Sequence, residues 1–133
     1  MFNRYIEKEI IPLGERCGIG QVVFSPLAQG LLTGKYKSVD DIPADSRAAK
    51  LEWVKKGITA EKIEKVRQLS EVAAELGISV AQLALAWILR QQNVASALVG
   101  ASRPEQVEEN AKASGIELSA DVLERIEEIL KED

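Results

Sequence analysis

The sequence contains no histidine, and that absence removes much possible chemistry. A zinc site draws on His and Cys ligands, and Cys17 stands alone, so neither a zinc centre nor an internal disulfide is expected. Positive charge is also short. The 17 Lys and Arg are outnumbered by 21 Asp and Glu, and the net charge of −4 argues against a nucleic-acid partner. No apolar run approaches the roughly 18 residues that a membrane span needs. Met1-Phe2-Asn3-Arg4 leads straight into a charged segment, so a secretory signal is not expected and a cytoplasmic location is the default. Aromatic residues are few, and Trp53 and Trp87 read as packing residues rather than stacking platforms.

What remains is a chain of 133 residues, 46% apolar and 29% charged, which is enough for one globular domain with one core. Its most informative stretch runs from Phe24 to Tyr36, Phe-Ser-Pro-Leu-Ala-Gln-Gly-Leu-Leu-Thr-Gly-Lys-Tyr. The preceding Gln21-Val22-Val23-Phe24 has the β-branched and aromatic content of a buried parallel strand. A strand that opens into a loop with two glycines and one cation has the makings of a phosphate cradle. Gly30 and Gly34 admit close backbone approach, and Lys35 supplies charge. An ordinary strand-to-loop turn fits the same spacing. The Gly-x-x-x-Gly-Lys interval is one residue short of a P-loop, and no helical pattern follows it directly, so a nucleotide triphosphatase is not expected.

Along the chain, Ile6, Ile10, Leu13 and Cys17 recur at helical spacing, which predicts a helix over 3–17 with Asn3 as its N-cap and a kink or early end at Pro12. The strand at 21–25 follows. Residues 37–57 lack a clear period and read as a long loop with a short helix near 48–55. Thr59 caps a helix through Leu76 with Ile63, Val66, Leu69, Ala73 and Leu76 on one stripe, ended by Gly77. Ser79 and Gln82 form a capping box for a helix that is apolar almost all round. A second short strand is expected at 96–99. Pro104 opens a helix to about Lys112, capped by Ser102 or Arg103, and Gly115 breaks it. Ser119 caps a last helix with Val122, Leu123, Ile126, Ile129 and Leu130 inside. No internal repeat or low-complexity segment is present.

Two stretches together carry a family resemblance. Ser25-Pro26-Leu27-Ala28-Gln29-Gly30-Leu31-Leu32-Thr33-Gly34-Lys35-Tyr36 resembles the late-barrel cofactor loop of aldo-keto reductases. Gly100-Ala101-Ser102-Arg103-Pro104-Glu105-Gln106-Val107-Glu108-Glu109-Asn110 resembles that family's segment for the adenosine end of a nicotinamide dinucleotide. The likeness runs from about Phe2 to the end and is nearest to the branch with bacterial stress-response reductases and potassium-channel β subunits. It implies an α/β chain forming the C-terminal part of a (β/α)8 TIM barrel, mostly helical with about two short parallel strands and incomplete as a single chain. A whole barrel needs about 200 residues or more. The partners implied are NADP(H) and either a missing N-terminal half or further copies of the chain.

Residue by residue, the resemblance assigns Ser25, Leu27, Gly30 and Lys35 to the pyrophosphate and ribose, and Arg47 to a position over the cofactor. For Arg47, a solvated loop arginine remains an equal alternative. Gly100, Ser102, Gln106, Glu109 and Asn110 match the adenosine site, and Arg103 suits a 2′-phosphate. The helix N-terminus after Gly100 favours an anion, and Gln106, Glu109, Asn110 and Ala113 share one helix face. A solvated polar face with Val107 and Ala111 packed inward is the plainer alternative. From Glu105 onward ten acids face three bases, which reads as a solvated surface. The family's catalytic Asp, Tyr, Lys and His belong to early strands and have no counterpart in this sequence. The expected function is therefore the cofactor-binding portion of an NADP(H)-dependent aldo-keto reductase, inactive on its own. A non-enzymatic dinucleotide-binding or regulatory module, or a helical interaction domain, is the alternative.

Overall fold

The structure is a computed structural model that describes residues 1–131. In chain order it contains α1 (Ile10–Arg16), β1 (Gln21–Phe24), α2 (Arg47–Lys50), α3 (Glu52–Lys56), α4 (Ala60–Glu75), α5 (Val80–Leu89), β2 (Val94–Leu98), α6 (Pro104–Ala111) and α7 (Ala120–Leu130). Short 3₁₀ turns lie at Tyr5–Glu7, Ala28–Thr33 and Lys112–Gly115.

β1 and β2 form a two-stranded parallel sheet, with Val22 beside Ser96, Val23 beside Ala97 and Phe24 beside Leu98. Parallel strands need a long crossover, here supplied by α2 to α5. The core does not lie in the sheet. It lies among the helices, where Leu69 and Val72 of α4, Leu83, Ala84 and Trp87 of α5 and Ile126 of α7 close on Leu31 and Leu32 of the first loop.

The capped helices form where their caps are. Thr59, Ser79 and Ser119 each accept a backbone N–H in the first turn, and Ser79 with Gln82 makes the reciprocal capping box. Gly77 follows α4 in the left-handed conformation, φ +68°, that ends a helix cheaply only for glycine. Ser46 caps α2 by accepting from the Ala49 N–H.

Several expectations need correction. The first helix begins at Ile10 rather than Asn3, because Pro12 has no N–H to give and is tolerated only in a first turn. Ile11 and Gly14 are its buried residues, whereas Ile10, Leu13 and Cys17 are exposed. The long loop carries two short helices, α2 and α3. Trp87 is buried, but Trp53 is 62% exposed and packs no core. Leu76 is the exposed C-cap of α4, and its place on the stripe is taken by Val72. Val107 and Ala111 are exposed, and the residue α6 and its following turn send inward is Ala113.

One cluster ties the two ends of the described chain together. Arg4 pairs with Glu7 at 2.7 Å and with Glu127 at 2.5 Å, while Arg4 and Arg90 approach the Trp87 ring from 5.0 and 3.7 Å. Burial lowers the Arg90 pKa, though not enough to discharge a guanidinium. Glu127 is thus an exception to the solvated C-terminal acids.

Candidate functional site: a groove at the ends of both strands

Both strands run out at the same end of the molecule, and the loops that follow them enclose a groove of about 1130 Å³. The β1 loop contributes Ser25, Leu27, Gly30 and Lys35, and α2 contributes Arg47. The β2 loop contributes Gly100, Ser102 and Arg103, and α6 contributes Gln106, Glu109 and Asn110. All eleven residues singled out in the sequence therefore line one groove, although 75 positions separate Ser25 from Gly100. Gln106, Glu109 and Asn110 share one face of α6, and that face lines the groove.

The β1 loop has an unusual backbone. Ser25, Ala28 and Gln29 have φ of 52°, 48° and 59°, and Gly30 follows at 96°. Positive φ is uncommon outside glycine, and each instance costs of order 1–3 kcal/mol. Within this segment the Ala28 and Gly30 N–H groups close turns onto the Ser25 and Leu27 carbonyls. Gly30 is favoured by its φ, and a side chain there would also push on Lys35. A Cβ there would stand 3.0 Å from Lys35 Cε and 3.1 Å from Nζ. The lysine ammonium therefore lies folded over the glycine, 5.3 Å from the ring of the buried Tyr36. The Tyr36 hydroxyl is itself buried without a protein partner.

Side chains fix the rest of the rim. Gln29 donates to Ser25 Oγ at 2.8 Å and accepts from Arg47 Nη1, which ties the exposed Arg47 to the loop. Gln29 was not among the expected site residues. Its one signal was proximity to Gly30. Across the groove, the Ser102 N–H donates to Gln106 Oε1 at 2.8 Å. The acceptor side of Gln106 is thereby occupied, and its amino group is the side left for a ligand. Glu109 is held by Gln82 and Lys112, which the capping pattern of Gln82 did not reveal. The Lys112 pKa is raised by its hydrogen bond to Glu109.

The lining carries four cations, Lys35, Arg47, Lys50 and Arg103, against the carboxylates Asp45, Glu105 and Glu109. The lining thus carries a net charge of +1 in a chain whose net charge is −4. The first turns of α5 and α6 also border the groove at Ser79, Ala81 and Glu105, adding the positive ends of two helix dipoles. The donor set suits an elongated ligand bearing more than one phosphate. Among the described residues no cluster of His, Cys, Asp and Glu could hold a metal ion, and no single helix is long and apolar enough to cross a membrane.

Comparison with known proteins gives a consistent result. The model of the Aldo/keto reductase family matches residues 1–131. A probable voltage-gated potassium channel subunit beta from Oryza sativa subsp. japonica is 41% identical over 98% of this chain and 42% of its own length. An L-glyceraldehyde 3-phosphate reductase from Escherichia coli O157:H7 is 39% identical over 96% of this chain and 38% of its own. Among solved structures, the glycerol dehydrogenase of Gluconobacter oxydans superposes with a TM-score of 0.81 at 29% identity, covering 97% of this chain and 39% of that one. The chain thus spans about two-fifths of the length of the curated relatives it matches.

Proposed function

This chain belongs to the aldo/keto reductase family as a C-terminal part of its barrel, and from that premise we propose that the groove binds NADP(H). The observation that carries the reading is the convergence of two distant stretches on one cation-bearing groove at the strand ends. In this reading Ser25, Leu27, Gly30 and Lys35 receive the pyrophosphate and ribose, and Arg47 lies across them. Gly100, Ser102, Gln106, Glu109 and Asn110 receive the adenosine, and Arg103 takes the 2′-phosphate. As the N-cap of α6, Arg103 extends from the helix's positive end, where a phosphate also meets backbone N–H groups.

The bound dinucleotide would supply hydride for reduction of an aldehyde or ketone to an alcohol. The chain's own part is to bind and orient. It contains no histidine, and its two tyrosines are Tyr36, which is buried, and Tyr5, in the first 3₁₀ turn. General acid catalysis contributes about 10²–10⁴-fold, and holding donor and acceptor together contributes more. We therefore assign turnover to a complete barrel, with the remaining strands provided by other polypeptide, and place the protein in the cytoplasm.

The test is calorimetric titration of the chain with NADPH, with Lys35→Ala alongside, followed by an aldehyde-reduction assay. Binding that weakens in Lys35→Ala, with no turnover above a protein-free control, supports the reading. Steady turnover by the pure chain overturns the division of labour. No binding overturns the cofactor assignment and favours a helical interaction domain instead.

A further inference from the structure

We infer that Gln82 is a positioning residue for the base-binding end of this groove, holding the Glu109 carboxylate where it selects an amino-bearing purine. The inference rests on the dinucleotide reading above. Gln82 is 6% exposed, in a helix whose other buried residues are apolar. A buried amide must find partners for both its oxygen and its nitrogen. Its Oε1 accepts from the Ser79 N–H at 3.0 Å, which is the local capping bond. Its Nε2 donates to the Glu109 carbonyl at 2.9 Å and to Glu109 Oε2 at 3.1 Å, linking α5 to α6 across 27 residues of sequence.

The cap does not explain the choice of residue, because Glu serves a capping box as well as Gln does. Only Gln also supplies the donor that Glu109 receives. The other carboxylate oxygen, Oε1, meets Lys112 Nζ at 2.5 Å. Held from both sides, the carboxylate keeps one orientation, and with about four lone-pair sites it retains acceptor capacity for a ligand. Gln106 cannot duplicate this, since its carbonyl oxygen is engaged by Ser102. A 6-amino purine donates to such a carboxylate, whereas a 6-oxo purine presents an acceptor that it repels.

The experiment uses Gln82→Glu, which keeps the acceptor for the Ser79 N–H, removes the donor and sets a second carboxylate against Glu109. Wild type and variant are titrated with NADPH and with its hypoxanthine analogue, and the Glu109 side-chain rotamer is followed by NMR couplings without nucleotide. The wild type should prefer the adenine cofactor at least ~10-fold, equivalent to ~1.4 kcal/mol, and the variant by less than about twofold. Glu109 should pass from one rotamer to an average of several. Gln82→Met, neutral and of similar length, gives the same two readouts if Gln82→Glu does not fold. A purely structural Gln82 would weaken both nucleotides by one factor and leave the ratio intact, and that outcome overturns the inference. A Glu109 rotamer unchanged in the variants overturns it too. If the wild type binds neither nucleotide, the dinucleotide reading fails and takes base selection with it, while the rotamer measurement still decides the clamp.

Discussion

Phe24 of β1 and Leu98 of β2 lie side by side in the parallel register, and both turn outward, 78% and 60% exposed. Val22 continues this apolar face, and the two strands leave an open edge on each side. The chain exposes 8491 Å², whereas a compact monomer of its 14.6 kDa would expose about 6,900 Å². The excess exceeds the ~800 Å² that one partner buries in a standard interface.

Self-association through this face is the expected outcome, since soluble proteins cover apolar faces and strand edges. Sedimentation should show oligomers, and Phe24→Glu with Leu98→Glu should shift the population toward monomer. A wild-type chain that sediments as a monodisperse monomer at high concentration would contradict this.

The helical half of the fold was legible because its apolar period and its caps agree. Thr59, Ser79 and Ser119 each stand one position before a helix whose apolar stripe packs on the core, Leu76 excepted. The first helix was misread because, of four apolar residues at helical spacing, Ile10, Leu13 and Cys17 face outward and only Ile6 is half-buried. Periodicity reports an amphipathic face and not what covers it. The groove residues were legible only through family likeness. By chemistry alone Gln106, Glu109 and Asn110 describe a solvated face equally well. Gln29 and Gln82 were missed because each acts through a partner distant in sequence, Arg47 and Glu109.

Gly30 and Gly34 separate backbone strain from ligand binding. Both have positive φ, but a Cβ at Gly30 meets the Lys35 side chain, whereas one at Gly34 meets Val80 Cγ1 at an ordinary 3.4 Å. Alanine at either position should cost about 1–2 kcal/mol of stability in denaturant unfolding. Only Gly30→Ala displaces Lys35, so it alone should weaken NADPH by several-fold beyond that loss. Equal affinity in the two variants would remove Lys35 from the phosphate site.

Acid should loosen the contact between α4 and α7. Arg125 donates to both carboxylate oxygens of Glu75, at 2.6 and 2.9 Å, and these hydrogen bonds lower the Glu75 pKa below its ordinary value of 4.5. Arg67 and Gln68 likewise hold Glu64 down at about 2. A depressed carboxylate contributes stability that is present above its unfolded pKa and is lost as pH falls through the folded one. Stability should therefore decline below pH 4.5 and go on declining toward about 2, where Glu64 titrates. In Arg125→Ala, NMR titration should return Glu75 toward 4.5 and leave Glu64 unchanged. A Glu75 that titrates as in the wild type would show that the pair does not form in solution.

Calorimetric titration of NADPH and NADH against wild type and Arg103→Ala decides whether the groove is an NADP(H) site. A guanidinium holds a phosphate through forked, charge-assisted hydrogen bonds, and solvent at a helix end moderates their strength. The wild type should prefer NADPH by ~10-fold or more, about 1.4 kcal/mol. Arg103→Ala should weaken NADPH and leave NADH nearly unchanged. Equal losses for the two nucleotides would move the 2′-phosphate to another residue, Ser102 or Gln106 first, and a chain that binds neither nucleotide would show that the groove is not an NADP(H) site.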